Sequence, residues 1–170
     1  MKSQRVIGIA GWSGSGKTTL IEKLIMHLSK EGRRVGTIKH AHHDFDIDIP
    51  GKDSHIHRTA GATQVLVSSS NRWALVTELR GSDELSFENA LKQLTPHDLV
   101  LVEGFKASNF PKLEIYRKEL GKPPLYGTIP GIIAVASDCS VELDPNTPLI
   151  DLNDFNAILH WVKAYCAWSS

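Results

Sequence analysis

Hydrophobic residues recur along the chain in short runs that are separated by longer amphipathic stretches. The short runs are rich in β-branched residues, which indicates β-strands. They cover residues 6–10, 34–38, 64–67, 74–77, 99–102, 113–116 and 132–136. The longer stretches have helical spacing and cover residues 17–29, 53–60, 84–94 and 153–167. This alternation is typical of an α/β domain with a largely parallel central sheet.

Two of the strand runs are joined by a short polar segment instead of a helix. Residues 64–67 and 73–77 flank Ser69-Ser70-Asn71-Arg72, so we expect an antiparallel hairpin at one edge of the sheet. Proline and glycine are concentrated in residues 121–131, which we expect to form an exposed loop. A chain of 170 residues has the usual size of one domain, and we expect residues 1–170 to share a single core.

Composition then narrows the class of protein. The chain carries 19 basic and 19 acidic side chains, so no basic face for duplex DNA or an anionic membrane is predicted. The first apolar run is interrupted at Gly11 and is too short for a signal sequence or a membrane span. Cys139 and Cys166 match neither a disulfide framework nor a zinc knuckle. We therefore expect a cytoplasmic protein with no nucleic-acid or membrane partner.

The clearest chemical motif is Gly11-Trp12-Ser13-Gly14-Ser15-Gly16-Lys17-Thr18, which fits the pattern G-x-x-x-x-G-K-[ST]. It lies between a predicted strand and a predicted helix, as this motif requires. Glycine lets backbone N–H groups turn toward a polyphosphate, and the helix N-terminus adds donors and partial positive charge. Lys17 can reach the β- and γ-phosphates, and the Thr18 hydroxyl can ligate Mg²⁺.

This motif predicts a P-loop NTPase-like, three-layer fold that binds GTP or ATP with Mg²⁺. The residues expected to bind the phosphates are Gly14, Ser15, Gly16, Lys17, Thr18 and Thr19. Trp12 either packs against the protein or stacks on a base or partner.

An acidic residue ends the buried strand run at residues 99–102. P-loop proteins place a carboxylate at the C-terminal end of a neighbouring strand, where it holds Mg²⁺ or a metal-bound water. Glu103 has that position, and we expect Lys17 and Glu103 to be the catalytic residues. Direct ligation, ligation through water and a general-base role all remain open for Glu103, as does a simply solvated acid.

Histidine and aspartate are concentrated between His40 and His57, where five of the eight histidines lie. Such a density can bind a transition metal, but the spacing matches no defined zinc pattern. A switch-like loop with Asp44 or Asp46 near Mg²⁺ is an equal alternative, and a solvated loop is a third.

A second glycine-containing segment opens the next predicted helix. Its N–H groups, together with a lysine, are expected to form a second anion site. The residues of this segment are Gly51, Lys52, Asp53 and Ser54. The alternative is that Asp53 or Ser54 is an ordinary helix cap.

The strand run at residues 132–136 is followed by Ser137 and Asp138. G proteins read guanine at this edge of the sheet with an aspartate that accepts hydrogen bonds from N1 and N2 of the base. A charge-assisted bond contributes about 1.5 to 3 kcal/mol, which corresponds to about a ten- to hundredfold preference for guanine. Because the full Asn-Lys-x-Asp element is absent, Asp138 is either the base reader or a turn residue.

Taken together, these motifs resemble the MobB family, the molybdopterin-guanine dinucleotide biosynthesis adapter proteins. The resemblance covers nearly the whole chain and is weakest over residues 118–131. It is carried by the phosphate loop, the His-His-Asp loop, Gly-Lys-Asp-Ser, Val-Glu-Gly-Phe-Lys and Ala-Val-Ala-Ser-Asp. It implies a GTP-binding homodimer with weak GTPase activity that assists the molybdenum cofactor guanylyltransferase, which joins GMP to molybdopterin. It leaves open whether the pterin is contacted directly.

Two other classes of protein are compatible with the phosphate loop. A small-molecule kinase would share the loop, but Arg72, Arg80 and Arg117 are the only candidates for its lid and none lies in a recognisable one. A metal-delivery protein would use His40–Asp48 with the nucleotide as a switch. Because no arginine finger or positioned glutamine is evident, we expect a slow GTPase at most.

Overall fold

The computed structural model describes residues 4–41 and 45–168. The chain divides into a main unit, Met1–His40 with Phe87–Ser170, and a small unit, Ala41–Ser86. The strands are β1 (Arg5–Ala10), β2 (Val35–Lys39), β3 (Gln64–Ser68), β4 (Trp73–Thr77), β5 (Leu99–Glu103), β6 (Lys112–Tyr116), β7 (Ile132–Ser137) and β8 (Leu149–Asp151). The α-helices are α1 (Lys17–Lys30), α2 (Asp53–Thr59), α3 (Phe87–Lys92) and α4 (Phe155–Tyr165), and Lys118–Leu120 form a 3₁₀ turn.

The main unit is built on a six-stranded sheet with the strand order β2-β5-β1-β6-β7-β8. Every pair of neighbours in it is parallel, which confirms the mostly parallel sheet that the sequence predicted. The seven predicted strands are all present, with bounds within one residue of the expected ones. Strand β8 was not predicted because its three residues are too few to show a pattern.

Strand β5 shows how the sequence produces the layers. Leu99 and Leu101 belong to one hydrophobic cluster, and Val100 and Val102 belong to another, because successive side chains of a strand point to opposite faces. Helices α1 and α4 contribute to the first cluster and α3 to the second. These are the expected three layers, and a strand buried on both faces reads as a continuous apolar run. In the described ranges, no helix has the length and apolar character needed to span a membrane.

The small unit contains α2 and the hairpin of β3 and β4. The hairpin is antiparallel, as predicted, and the side chain of Ser69 accepts hydrogen bonds from the N–H groups of Asn71 and Arg72 in its turn. It differs from the prediction in one respect: it forms a separate two-stranded sheet and is not an edge of the parallel sheet. A turn sequence specifies local pairing but carries no information on which sheet the hairpin joins.

A buried carboxylate anchors the loop at residues 121–131. Glu114 on β6 is completely buried and accepts hydrogen bonds from the N–H groups of Leu125, at 2.6 Å, and Tyr126, at 2.8 Å. Burial raises the pKa of the Glu114 carboxyl, and the two N–H groups oppose that rise. The segment lacks helix and strand, as expected for a loop, but its Leu125 is buried. The expectation of an exposed loop is therefore wrong at Leu125.

Candidate nucleotide-binding site

The loop between β1 and α1 has the backbone shape that phosphate binding needs. Gly11, Gly14 and Gly16 have φ angles of 147°, 81° and 97°, in the region that favours glycine. A Cβ atom on Gly11 would lie 2.6 Å from the Oγ atom of Ser15 and 2.7 Å from the carbonyl oxygen of Ile115. Because α1 begins directly after this loop, its first N–H groups have no partner within the helix and are available to an anion.

Lys17 lies over the phosphate loop among other charged groups. Its Nζ atom donates a hydrogen bond to the carbonyl oxygen of Trp12 at 2.9 Å. Burial lowers the pKa of Lys17, Glu103 opposes that shift, and the nearby charges of Lys106 and Lys39 lower it further. The ammonium of Lys17 thus lies near two further lysines and one glutamate, and this positive surplus favours a polyphosphate.

The two predicted magnesium ligands of the main unit, Thr18 and Glu103, line the same cavity. Glu103 ends β5, as expected, and its side chain is 18% exposed with an oxygen 3.7 Å from Nζ of Lys39. That cavity has a volume of about 510 Å³, and the rest of its lining is largely apolar, with Ile21, Ile25, Met26, Ile38 and Leu101. A hydroxyl and a carboxylate are oxygen ligands of the kind that Mg²⁺ prefers, so these residues fit the expected ion.

A strained turn follows Glu103. Gly104 and Phe105 have φ angles of 101° and 47°, and the second is rare for a bulky residue. A Cβ atom on Gly104 would lie 2.5 Å from Cβ of His40, and the rings of His40 and Phe105 stack at 4.4 Å. This packing holds the turn, which carries Nζ of Lys106 to within 5.4 Å of the centre of the Trp12 ring. Such strain is often found at functional sites.

Trp12 connects the phosphate loop to the loop at residues 121–131. Its indole N–H donates to the carbonyl oxygen of Pro123 at 2.7 Å. Lys106 and Lys122 approach its ring, with Nζ atoms 5.4 Å and 5.8 Å from the centre. Trp12 is therefore a packing residue here, which agrees with the first of the two predicted roles.

Arg117 is a residue whose role sequence reasoning missed. Its Nε atom donates to the carbonyl oxygen of Ser15 at 3.1 Å, and its Nη1 atom donates to a carboxylate oxygen of Asp138 at 3.3 Å. The signal was present in the sequence, because Arg117 directly follows β6, and parallel neighbours end at the same edge of a sheet. Asp138 therefore lies at the expected edge, paired with an arginine that was considered only as part of a lid.

The remaining predicted site residues fall in the small unit or outside the described ranges. Gly51 has a φ angle of 83°, and α2 begins two residues later. Its N-cap position is occupied by Lys52, without a side-chain cap, so the prediction that Asp53 or Ser54 caps this helix is wrong. A second anion site at Gly51–Ser54 stays a prediction. Asp44, expected near Mg²⁺, lies outside the described residues together with its two histidine neighbours.

An ion cluster in the small unit includes Asp46, the other aspartate that was considered as a neighbour of Mg²⁺. The guanidinium of Arg58 donates to both oxygens of Asp46, at 2.8 and 2.7 Å, to Asp48 at 2.9 Å and to Glu78 at 3.1 Å. The N–H of Asp48 and the charge of Arg58 lower the pKa of Asp46. Asp46 is thus engaged by an arginine. Among the described residues, no three histidine, cysteine or acidic side chains are grouped to hold a metal ion.

The parallel sheet covered by helices, with a glycine-rich loop after β1, defines an α/β protein with a P-loop-like fold. The model of one family, described as molybdopterin guanine dinucleotide synthesis protein B (MobB), matches residues 6–138. The chain therefore belongs to the MobB family.

Individual relatives agree with this assignment. The chain is 44% identical over 160 residues to the molybdopterin-guanine dinucleotide biosynthesis adapter protein of Escherichia coli, which covers 92% of this chain and 90% of the relative. It is 40% identical over 158 residues to the protein of the same name from Haemophilus influenzae, covering 93% and 87%. The crystal structure of Bacillus subtilis MobB superposes with a TM-score of 0.72 at 25% identity, covering 95% of this chain and 97% of that one.

Proposed function

We propose that this chain is a cytoplasmic GTP-binding adapter that assists the guanylyltransferase of molybdopterin-guanine dinucleotide biosynthesis. Two relatives that match almost their full length carry the name of such an adapter. The observation that carries the nucleotide part is the phosphate loop itself, whose glycines have positive φ angles and whose Lys17 begins α1 among a surplus of positive charge. A nucleoside triphosphate with Mg²⁺ fits this loop, and the names of the relatives favour a guanine nucleotide.

Each residue of the loop has a distinct task in this proposal. The N–H groups of Gly14, Ser15 and Gly16 surround the phosphates, and Thr19 flanks them at the start of α1. Lys17 exchanges the carbonyl oxygen of Trp12 for phosphate oxygens. Mg²⁺, when bound, neutralises phosphate charge.

The same geometry favours slow hydrolysis at most. The terminal phosphate is expected beside Thr18 and Glu103, whereas Arg117 lines a cavity that neither of these residues lines. Arg117 is also held by a carbonyl oxygen and by Asp138. It is therefore not poised to stabilise the charge of a transferring phosphoryl group, which is how an arginine finger accelerates hydrolysis.

The small unit supports the homodimer that we propose as the working form. It exposes large apolar side chains on its loop, on α2 and on the hairpin. Three of them, Leu66, Trp73 and Leu75, share one face of the hairpin, because Leu66 pairs with Leu75 and alternate residues of a strand lie on the same face. We call these three residues the apolar face. Exposed apolar side chains on one face are typical of a protein interface, and a two-stranded hairpin offers unpaired backbone groups to a second copy.

The nucleotide proposal is tested by calorimetric titration of GTP and ATP, with and without Mg²⁺, on the native protein and on Lys17→Ala. We expect Mg²⁺-dependent GTP binding that weakens about ten- to hundredfold in the variant, because charge-assisted hydrogen bonds are lost. Lys30→Ala changes an exposed lysine at the end of the same helix and serves as the matched control. Equal GTP affinity in the native protein and in Lys17→Ala would exclude the phosphate loop as the site. Preference for ATP would favour a kinase.

A further inference from the structure

A second cavity adjoins the phosphate loop on the side of α4. Its volume is about 270 Å³, which is below the roughly 300 to 1,000 Å³ of pockets that enclose a whole ligand. It therefore suits one part of a nucleotide. The lining residues that matter here are Gly16, Thr19, Lys23, Arg117, Asn153 and Phe155.

The place of this cavity in the fold matches the direction in which a nucleotide must extend. Ligands of open α/β sheets bind at the carboxyl ends of the strands. Arg117 directly follows β6 and Asn153 comes two residues after β8, so the cavity lies at that edge. The terminal phosphate and Mg²⁺ are assigned to Thr18 and Glu103, which line another cavity. The base and ribose then occupy the second cavity, which begins at the other side of the loop.

The polar groups of this cavity are rich in donors. The Lys23 amine lies 5.9 Å from the centre of the Phe155 ring and forms no hydrogen bond or ion pair with the part of the chain that the structure describes. The carboxamide of Asn153 likewise has no hydrogen-bond partner among the described residues, although its backbone N–H donates to Asp151. Arg117 adds a guanidinium, which is oriented by its hydrogen bonds to the carbonyl oxygen of Ser15 and to Asp138.

Donor-only groups discriminate between purines. A lysine ammonium donates and cannot accept. The edge of guanine offers acceptors at O6 and N7, whereas adenine replaces the first with an amino donor. Lys23 therefore complements O6 of a 6-oxo purine and finds no acceptor at the 6-amino group of adenine, while the ring of Phe155 supplies an apolar wall for either base.

We propose that Lys23, with Asn153, reads the 6-oxo edge of a guanine base in this cavity. Asp138 does not read the base in this arrangement but positions Arg117 beside the phosphate loop. This inference rests on the proposed GTP-binding function and assigns its base specificity to α1 and the segment before α4. Asp138, as the alternative reader, would accept hydrogen bonds from N1 and the 2-amino group of guanine.

The two assignments predict different affinities for inosine triphosphate (ITP), which keeps O6 and N1–H of guanine but lacks the 2-amino group. Calorimetric titration with GTP, ITP and ATP in Mg²⁺ separates them. We expect the native protein to bind GTP and ITP within about threefold of each other and ATP roughly tenfold more weakly. Lys23→Met should weaken GTP and ITP binding roughly tenfold and leave ATP binding unchanged.

Two further variants complete the test. Lys30→Met, at an exposed position on the same helix, should change no affinity, and Asp138→Asn should change all three affinities alike. ITP binding in the native protein about tenfold or more weaker than GTP binding, or loss of the preference for GTP over ATP in Asp138→Asn alone, would overturn the assignment to Lys23. Those outcomes leave GTP binding intact, whereas a native protein that binds none of the three nucleotides overturns the proposed function as well.

Discussion

The main unit and the small unit reach a defined structure by different means. In the main unit, β1, β5 and β6 contribute completely buried side chains to a core shared with α1 and α4. Among the described residues of the small unit, Val65 alone is buried. The ordered contacts of the small unit are mainly polar and centre on Arg58. Apolar burial contributes about 1.5 to 3 kcal/mol for each large side chain, a contribution that the small unit largely lacks.

This difference indicates that the small unit depends on another molecule to cover its apolar side chains, whereas the main unit does not. The main unit has enough core to hold a rigid phosphate loop at the edge of its sheet. The small unit leaves Ile47 at 70%, Trp73 at 67% and Leu66 at 61% exposed. Because exposed apolar surface of this extent is costly in water, we infer that the small unit is completed by another chain, a second copy in our proposal.

The sharpest way to test the comparison is to truncate one leucine in each unit. Leu101→Ala in β5 should lower the free energy of unfolding by about 2 to 5 kcal/mol, because it removes buried atoms and leaves a cavity. Leu66→Ala in β3 should change it by about 0.5 kcal/mol or less at low protein concentration. Denaturant unfolding measures both values. A large cost for Leu66→Ala under those conditions would mean that the hairpin is buried within one chain.

The role of the apolar face is tested by the mass of the protein in solution. Light scattering across micromolar concentrations should give twice the chain mass for the native protein and a single chain mass for Trp73→Lys, because a charge on the apolar face opposes its burial. Leu149→Lys alters an exposed residue of the main unit and should leave the dimer unchanged. A native protein with the mass of one chain at every concentration would contradict the homodimer.

The smallest expected effect concerns the ion cluster of the small unit. The N–H of Asp48 and the guanidinium of Arg58 hold the pKa of Asp46 below its ordinary value of 3.8. A lowered carboxyl pKa stabilises the folded state above the ordinary pKa, and this contribution is lost as the pH falls through the lower, folded value. Carboxyl NMR titration should show Asp46 ionising below 3.8. Arg58→Gln should return it toward that value, and a native titration at or above it would contradict the cluster.

Much of the main unit was predictable from particular residues. The run at residues 99–102 predicted a strand buried on both faces, and Glu103 was correctly placed at its end. The phosphate loop was predictable because its glycines, its lysine and its flanking elements are contiguous in sequence. The contacts of Arg117 were not predictable, since Arg117 is 102 positions from Ser15 and 21 positions from Asp138. The partners of Asp46 were missed for the same reason.

The sequence by itself determined the elements, the parallel α/β sheet and the phosphate loop with Lys17 and Thr18, because periodicity and loop chemistry are local properties. Only the tertiary structure decided that Arg117 joins Ser15 to Asp138 and that Lys23 and Asn153 share a cavity. It also decided that the hairpin forms a sheet of its own. These features depend on which strand ends and helix faces meet in space, and apolar packing and loop closure settle that for the whole chain at once.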